Sequence, residues 1–295
     1  MKKNMKKKLI PDLNKKNYKE CSIAVENTNI SCYSTNDLKN VINNLKKKKE
    51  YKKKLEKKSL KSKKEMYEVL KNNLSKKCGK NETCWVKHPD IKDDPYLKQK
   101  LEKSLKPTMP SSWIKDKFTW LSSLDIYKAM KQYEKVVKDF VFLGPVPKDC
   151  PIGYQCILSN LNPKQLIEHD KKNKIGIIYN LDLHDEPGSH WVAIFMDLKK
   201  GQIEYYDSYG ILPDELIYTF MKNFAVKLNN YYSNKKTIIL DFNQRRHQYG
   251  GSECGMFSMI FILERLQGTT LNKIEKMNIT DKIVNQLRFK IFRKP

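Results

Sequence analysis

Apolar positions along the chain follow two regimes, which meet at Lys106-Pro107-Thr108-Met109-Pro110. Before that stretch hydrophobic residues are sparse, and lysine blocks such as Lys46–Lys49 and Lys52–Lys54 stand between them. From about Asn44 to Leu74 no glycine or proline intervenes, and Leu60, Tyr67, Leu70 and Leu74 recur at helical spacing. That pattern predicts a lysine-coated helix with one narrow apolar face, a solvated arm rather than a packed body. Residues 1–40, rich in Asn and Ser, are expected to be loop or disordered. The chain thus divides into a lysine-rich amino-terminal extension, 1–110, partly disordered and partly helical, and a second domain, 111–295.

The second domain alternates helix and strand patterns. Phe118 to Val137 reads as a helix with Leu121, Leu124 and Met130 near one face. Ile175–Leu183, Trp191–Asp197, Ile203–Asp207 and Thr237–Asp241 are β-type runs, and Leu198–Gln202 has the glycine-tipped form of a hairpin connection. Asp214–Leu228 and Glu253–Leu266 read as helices; the latter is apolar almost all round and should be central and buried. The mixture predicts an α+β domain, with helices packed on a mainly antiparallel or mixed sheet.

Composition narrows the function. The 295 residues include 39% hydrophobic ones, enough for a sizeable core. The most apolar stretch, Met256 to Leu263, is far short of the roughly 20 residues of a membrane-spanning helix. No apolar run follows the basic amino terminus, so it does not read as a secretory signal. Seven cysteines, an odd number, suggest free thiols in a reducing compartment. The formal charge is +25, from 58 Lys+Arg against 33 Asp+Glu, which invites a nucleic-acid partner. Yet only five of the basic residues are arginines, the residue type that forks onto guanine and phosphate. Residues 1–110 hold 31 basic and 13 acidic groups, a balance of +18, and residues 111–295 hold 27 and 20, only +7. Non-specific nucleic-acid contact, if the chain makes any, belongs to the extension.

Three features of the second domain fit one chemistry. His190 opens an apolar strand directly after Glu186-Pro187-Gly188-Ser189, and Asp207 closes the next strand. A hairpin through Lys199–Gln202 brings both to the same end, where a carboxylate orients an imidazole and favours its protonated form. Gly250-Gly251-Ser252-Glu253-Cys254-Gly255 leads into the apolar helix, placing Cys254 at a helix amino terminus, which favours a thiolate. The backbone N–H of Cys254 offers one oxyanion donor, and the amide of Gln248 a second.

His190-Trp191, Tyr206-Asp207-Ser208 and Gln248-x5-Cys254-Gly255 together resemble the signature of the ubiquitin-like-protein (SUMO-type) cysteine proteases, the group that includes the adenovirus protease. The order His, Asp, Cys matches that group and differs from papain. Phe118-Thr119-Trp120-Leu121 resembles the Trp-Leu motif at the start of their catalytic domain. His247-Gln248, Glu253-Cys254-Gly255 and Cys84-Trp85-Val86-Lys87-His88-Pro89 are similar to the viral branch, the core-polyprotein proteases of African swine fever virus and other large nucleocytoplasmic DNA viruses. The resemblance covers roughly residues 78–295. It implies a papain-like or adenain-like domain with Cys254 as nucleophile, His190 as base and then acid, Asp207 orienting His190, and Gln248 completing the oxyanion hole. Trp191 and Trp120 would flank a narrow channel for a Gly-Gly backbone, although core packing is the plainer role for both. It implies no metal or organic cofactor, protein substrates with Gly-Gly-X sites, and a place in the virion and at assembly sites in the host cytoplasm. Ser122-Ser123 departs from the Asn-Asp that cellular members have after Trp-Leu.

Other candidates rank lower. Cys78-x5-Cys84-x3-His88 is looser than a zinc knuckle, and a turn separates His184 from His190. His169 reads as solvent-facing, and Arg245-Arg246 as a solvated pair. Besides polyprotein processing, two readings stay open: a deconjugase that removes ubiquitin-like modifiers from host proteins, and a basic virion or nucleic-acid-binding protein with a vestigial protease fold.

Overall fold

The computed structural model describes residues 8–14, 20–26, 29–56, 60–116, 118–150 and 156–295. Parts of the expected amino-terminal loop, 1–7, 15–19 and 27–28, and residues 57–59 of the expected long helix lie outside the described residues. The chain forms two compact units, Lys15–Thr108 and Met109–Pro295, and the residues up to Asn14 group with the second. There the Leu9 amide donates to Gln267 Oε1 at 2.9 Å.

The first unit is helical: α1 (Thr35–Lys46), α2 (Lys49–Glu56), α3 (Lys63–Cys78), a 3-10 turn at Glu82–Lys87, α4 (Pro89–Lys92) and α5 (Pro95–Glu102). One continuous helix from Asn44 to Leu74 does not form. Ser34 with Asp37 and Ser62 with Glu65 make reciprocal capping boxes that start α1 and α3, so local capping divides a run that lacks any glycine or proline. Tyr33, Leu38, Leu45, Leu70, Leu74, Trp85 and Leu101 are buried in one shared core, in place of a narrow stripe on a solvated arm. Tyr33 stacks on Trp85 with ring centroids 5.6 Å apart.

Six of the seven cysteines are paired, which corrects the expectation of free thiols. Cys21–Cys32, Cys78–Cys84 and Cys150–Cys156 are disulfides with Cα separations of 4.9, 5.4 and 5.5 Å, inside the range a bridge requires. Cys254 alone is free. An odd total concealed three local pairs.

The second unit contains α6 (Ser112–Lys115), α7 (Ser123–Val136), β1 (Phe140–Phe142), β2 (Val146–Pro147), a π-helical turn at Gln165–His169, β3 (Lys174–Asn180), β4 (Trp191–Asp197), β5 (Gln202–Tyr206), α8 (Glu215–Tyr231), β6 (Ile239–Phe242), α9 (Cys254–Gln267), α10 (Leu271–Glu275) and α11 (Asp281–Ile291). The sheet runs β1-β3-β4-β5-β6, and β2 also pairs with β3. It is mixed: β3, β4 and β5 are antiparallel, while β1 and β2 lie parallel to β3, and β6 parallel to β5. The two short strands at the β1 edge were not legible in the hydrophobic pattern.

Alternation along the central strands divides the core between two faces. Ile175, Ile177, Val192, Ile194, Ile203 and Tyr205 pack with Phe220, Met221, Phe224 and Leu228 of α8. On the opposite face Gly176 lies so close to Ile262 of α9 that an added Cβ would be 3.1 Å away. Every residue of α9 from Cys254 to Leu263 is buried, as expected of a central helix. Ser122 caps α7 through a capping box with Asp125, so the departure at Ser122-Ser123 starts a helix.

Candidate active site

The start of β4, the turn after β5 and the start of α9 converge. His190 Nε2 meets Asp207 Oδ1 at 2.7 Å, and the ring also hydrogen-bonds Cys254. With Nε2 given to Asp207, Nδ1 is the nitrogen left for the thiol. Burial opposes charge on His190, but the hydrogen bonds and negative charge of Asp207 and Cys254 together outweigh it. They raise the imidazole pKa from 6.5 to about 9. Cys254 is buried at the first residue of α9, where helix N–H groups lack intrahelical partners. Gly255 next to it is required by packing: a Cβ there would lie 3.1 Å from Leu121 and 3.2 Å from Trp191.

The carboxylate is fixed by its own strand end and by the neighbouring one. The Tyr209 amide donates to Asp207 Oδ1 at 2.9 Å. Asn243, just past β6, accepts from the Asp207 amide at 2.8 Å and donates to the Asp207 carbonyl at 2.7 Å. Gly210 closes the turn with φ +74°, where a Cβ would fall 2.7 Å from the Gln244 carbonyl. The Asp207-Ser208-Tyr209-Gly210 segment is therefore a turn packed tightly against the loop that follows β6.

Gln248 is fully buried. Its Oε1 accepts from Ser208 Oγ at 2.6 Å, and its Nε2 donates to Gly250 O at 2.8 Å and to Tyr209 Oη at 3.4 Å. The long Tyr209 contact is the one an incoming oxyanion could replace. The loop ahead of Cys254 is held by α11 and by its own carboxylate. Asp281 accepts the amides of Tyr249 and Gly250 at 3.0 and 3.1 Å. Glu253 accepts from the Ser252 amide at 2.9 Å and from Asn285 Nδ2 at 2.7 Å. Arg288, buried over the Trp113 ring, donates to the carbonyls of Thr119 and Ser252.

The two tryptophans differ. Trp191 is buried, its indole N–H on the Leu121 carbonyl at 3.0 Å and its own carbonyl accepting from Ser258 Oγ at 3.1 Å. Trp120 is exposed and, with Phe118 and Phe289, walls a mainly apolar cavity of about 720 Å³ whose lining includes Gly250, Gly251, Ser252 and Glu253. Trp191 is not part of that lining. The contacts made by four residues were not legible beforehand: those of Asn243, Ser208, Tyr209 and Arg246. Arg246 is exposed, as expected of a solvated pair, but its guanidinium also lies 5.0 Å from the Tyr209 ring and 4.9 Å from the Tyr249 ring.

Other candidates sit elsewhere. His184 bonds Asp149 Oδ2 at 2.7 Å, His169 is exposed, and His88 accepts from the Asp90 amide at 3.3 Å while Cys78 and Cys84 bridge each other. Among the described residues, one trio could share a metal ion, Cys21, Cys32 and Glu82, and its sulfurs are joined as a disulfide. No described helix is long and apolar enough to cross a membrane. Chemically, the arrangement of thiol, imidazole and carboxylate suits nucleophilic acyl transfer.

Comparison with known proteins agrees with this chemistry. Residues 163–294 match the catalytic domain of the Ulp1 protease family. A protein of Acanthamoeba polyphaga mimivirus named as a thiol protease is 32% identical over 78% of this chain and 75% of its own length. A cysteine protease of African swine fever virus is 26% identical over 80% of this chain and 90% of its own. The crystal structure of a protease from African swine fever virus superposes with a TM-score of 0.64, at 20% identity, over 94% of this chain and 96% of that one.

Proposed function

The chain belongs to the Ulp1 protease family and is a cysteine-type endopeptidase; from that premise we propose that it cuts polypeptides at Gly-Gly-X-type sites and matures viral core or structural polyproteins. Cys254 Sγ attacks the scissile carbonyl, and the oxyanion is received by the Cys254 N–H and the Gln248 side-chain amide. His190, carrying the thiol proton, gives it to the leaving amine, and a thioester remains. His190 then takes a proton from water, which attacks the thioester and frees Cys254. Asp207 holds the imidazole throughout. Trp120 lies against the substrate, and Trp191 backs Gly255 and Leu121 behind the nucleophile.

The observation that carries this reading is the single chain of contacts from Asp207 through His190 to Cys254 at the head of α9. Viral relatives support a site of action in the virion and at assembly sites in the host cytoplasm. The lysine coat of the first unit, dense in α2, supports non-specific contact with nucleic acid there. Full-length protein and its Cys254→Ala variant, offered Gly-Gly-X peptides and ubiquitin-like modifier fusions, test the reading. Cleavage of the peptides by the unsubstituted protein alone is expected. Cleavage confined to modifier fusions would make it a deconjugase. Absence of any cleavage, with steeply salt-dependent DNA binding, would leave a vestigial protease fold.

A further inference from the structure

Tyr209 has no part in the reaction just described, yet it touches His190, Asp207 and Gln248, three of the groups that do. We infer that Tyr209, backed by the guanidinium of Arg246, is a positioning residue that holds the His190 imidazole at the angle at which it meets Cys254. This rests on the proteolytic reading, but its main measurement needs no substrate.

The turn at the end of β5 makes the placement. Ala193 and Tyr206 are the last pair of the antiparallel β4–β5 ladder, and the turn that follows, closed by the Gly210 amide on the Asp207 carbonyl at 2.9 Å, carries Tyr209 to His190. The two rings stack with centroids 4.7 Å apart and planes 11° from parallel. The hydrogen bonds to Asp207 and Cys254 hold the two ring nitrogens but leave the imidazole free to tilt about the line that joins them. The face of Tyr209 blocks the tilt. The Tyr209 amide also donates to the carboxylate oxygen that the imidazole uses. One residue thus fixes both partners of the pair, the carboxylate by its backbone and the ring by its side chain.

Arg246 closes the stack from behind. Its guanidinium lies 5.0 Å from the Tyr209 ring centroid and 4.9 Å from that of Tyr249. Its Nε donates to the Gln248 carbonyl at 2.7 Å, which ties the stack to the oxyanion side chain. The charged and titratable groups facing this assembly are Asp207, Cys254, Glu253 and Arg246. An aromatic face attracts a cation, so Tyr209 favours imidazolium on one side while the Arg246 charge on the other competes for the same ring.

The test compares Tyr209→Leu, Tyr209→Phe and Arg246→Met. Its readout is the rate at which iodoacetate alkylates Cys254, followed by mass spectrometry of the Cys254 peptide between acid and alkaline pH. The reagent is an anion, so its rate falls as His190 loses its proton. Tyr209→Leu is expected to slow alkylation and kcat roughly ten-fold with KM unchanged, and to move the alkaline limb down by about half a pH unit. Tyr209→Phe should restore the rate to within about three-fold, because the ring and not the hydroxyl does the stacking. Arg246→Met should move the alkaline limb up by a similar amount. Unfolding curves show which variants are folded at the assay temperature. A folded Tyr209→Leu protein with unchanged rate and profile overturns the proposal, as does a Tyr209→Phe protein as slow as Tyr209→Leu. Should Tyr209→Leu not fold, an unmoved limb in Arg246→Met overturns it. Failure of the proteolytic reading looks different: no substrate is cut, whatever the alkylation profile.

Discussion

Asn243 grips the peptide of Asp207 from both sides, accepting its N–H at 2.8 Å and donating to its carbonyl at 2.7 Å. Both residues are buried, and each lies just beyond a strand of the parallel β5–β6 pair. The side chain of Asn243 thereby extends the ladder where the strands themselves stop, and Asp207 is held rigid at the point where it meets His190. Asn243→Ala would leave the buried Asp207 N–H unsatisfied, while the Asp207 carbonyl keeps the Gly210 amide at 2.9 Å, a cost of about 1–3 kcal/mol. A lower urea midpoint is expected, together with a fall in kcat larger than any change in KM. A wild-type midpoint and kcat would show that this clamp is idle.

How much of this was legible beforehand depended on whether a feature was local. The periodicity of α9, the runs of β3 to β5 and the glycine-tipped connection reflect side chains packing on nearby neighbours, and a linear pattern carries them. Hairpin logic brought His190 and Asp207 to one end of the sheet. The turn that closes from the Gly210 amide to the Asp207 carbonyl sets Tyr209 against His190, a contact that hairpin logic alone does not announce. Asn243 and Arg246 follow a strand that joins by a crossover through α8, so no spacing in the sequence announces their contact with the turn at 207–209. In the first unit, lysine abundance masked a core, because long lysine side chains can coat a helix whose other face is fully buried.

His190 makes stability depend on pH with a definite sign. Burial acts against its charge, but Asp207 and Cys254 raise its pKa to about 9 in the folded protein, against 6.5 unperturbed. The folded state therefore holds this proton more tightly than the unfolded chain. The resulting stabilisation is complete below about pH 6.5 and is lost as pH rises through 9. The difference in urea midpoint between the wild type and His190→Gln should be largest near the lower value and shrink toward the upper one. A difference independent of pH would contradict the pairing. Cleavage should follow a bell whose limbs belong to the coupled Cys254–His190 pair.

Arg265 near the end of α9 and Glu204 on β5 form a buried ion pair, with Nη2 to Oε1 at 2.9 Å and Nε to Oε2. Burial pushes the Glu204 carboxyl up in pKa, and Arg265 opposes that shift. Arg265→Met would strand a buried carboxylate and is expected to cost about 3–5 kcal/mol. Replacing both residues, as Glu204→Leu with Arg265→Met, should recover much of that loss, since an apolar pair has no charge to desolvate. Thermal unfolding of the two single variants and the double variant decides the matter; a double variant no more stable than either single one would contradict it.

Gly251 offers a way to read where substrate lies. It is in the wall of the cavity shared by Trp120, Phe118 and Phe289, three residues before Cys254. A Cβ added there meets nothing within 4 Å, whereas at Gly250 it would fall 2.6 Å from the Glu253 carboxylate. Gly251→Ala should therefore fold with unchanged stability, and any effect must come from what approaches the loop from outside. If a peptide backbone passes over Gly251 on its way to Cys254, the extra methyl takes up part of the room it needs. KM should then rise about ten-fold or more, while the unfolding temperature stays the same. Trp120→Ala should also raise KM, by removing apolar surface that the substrate covers. Unchanged KM in both variants would move the substrate path away from this cavity and leave Cys254 to be approached from another side.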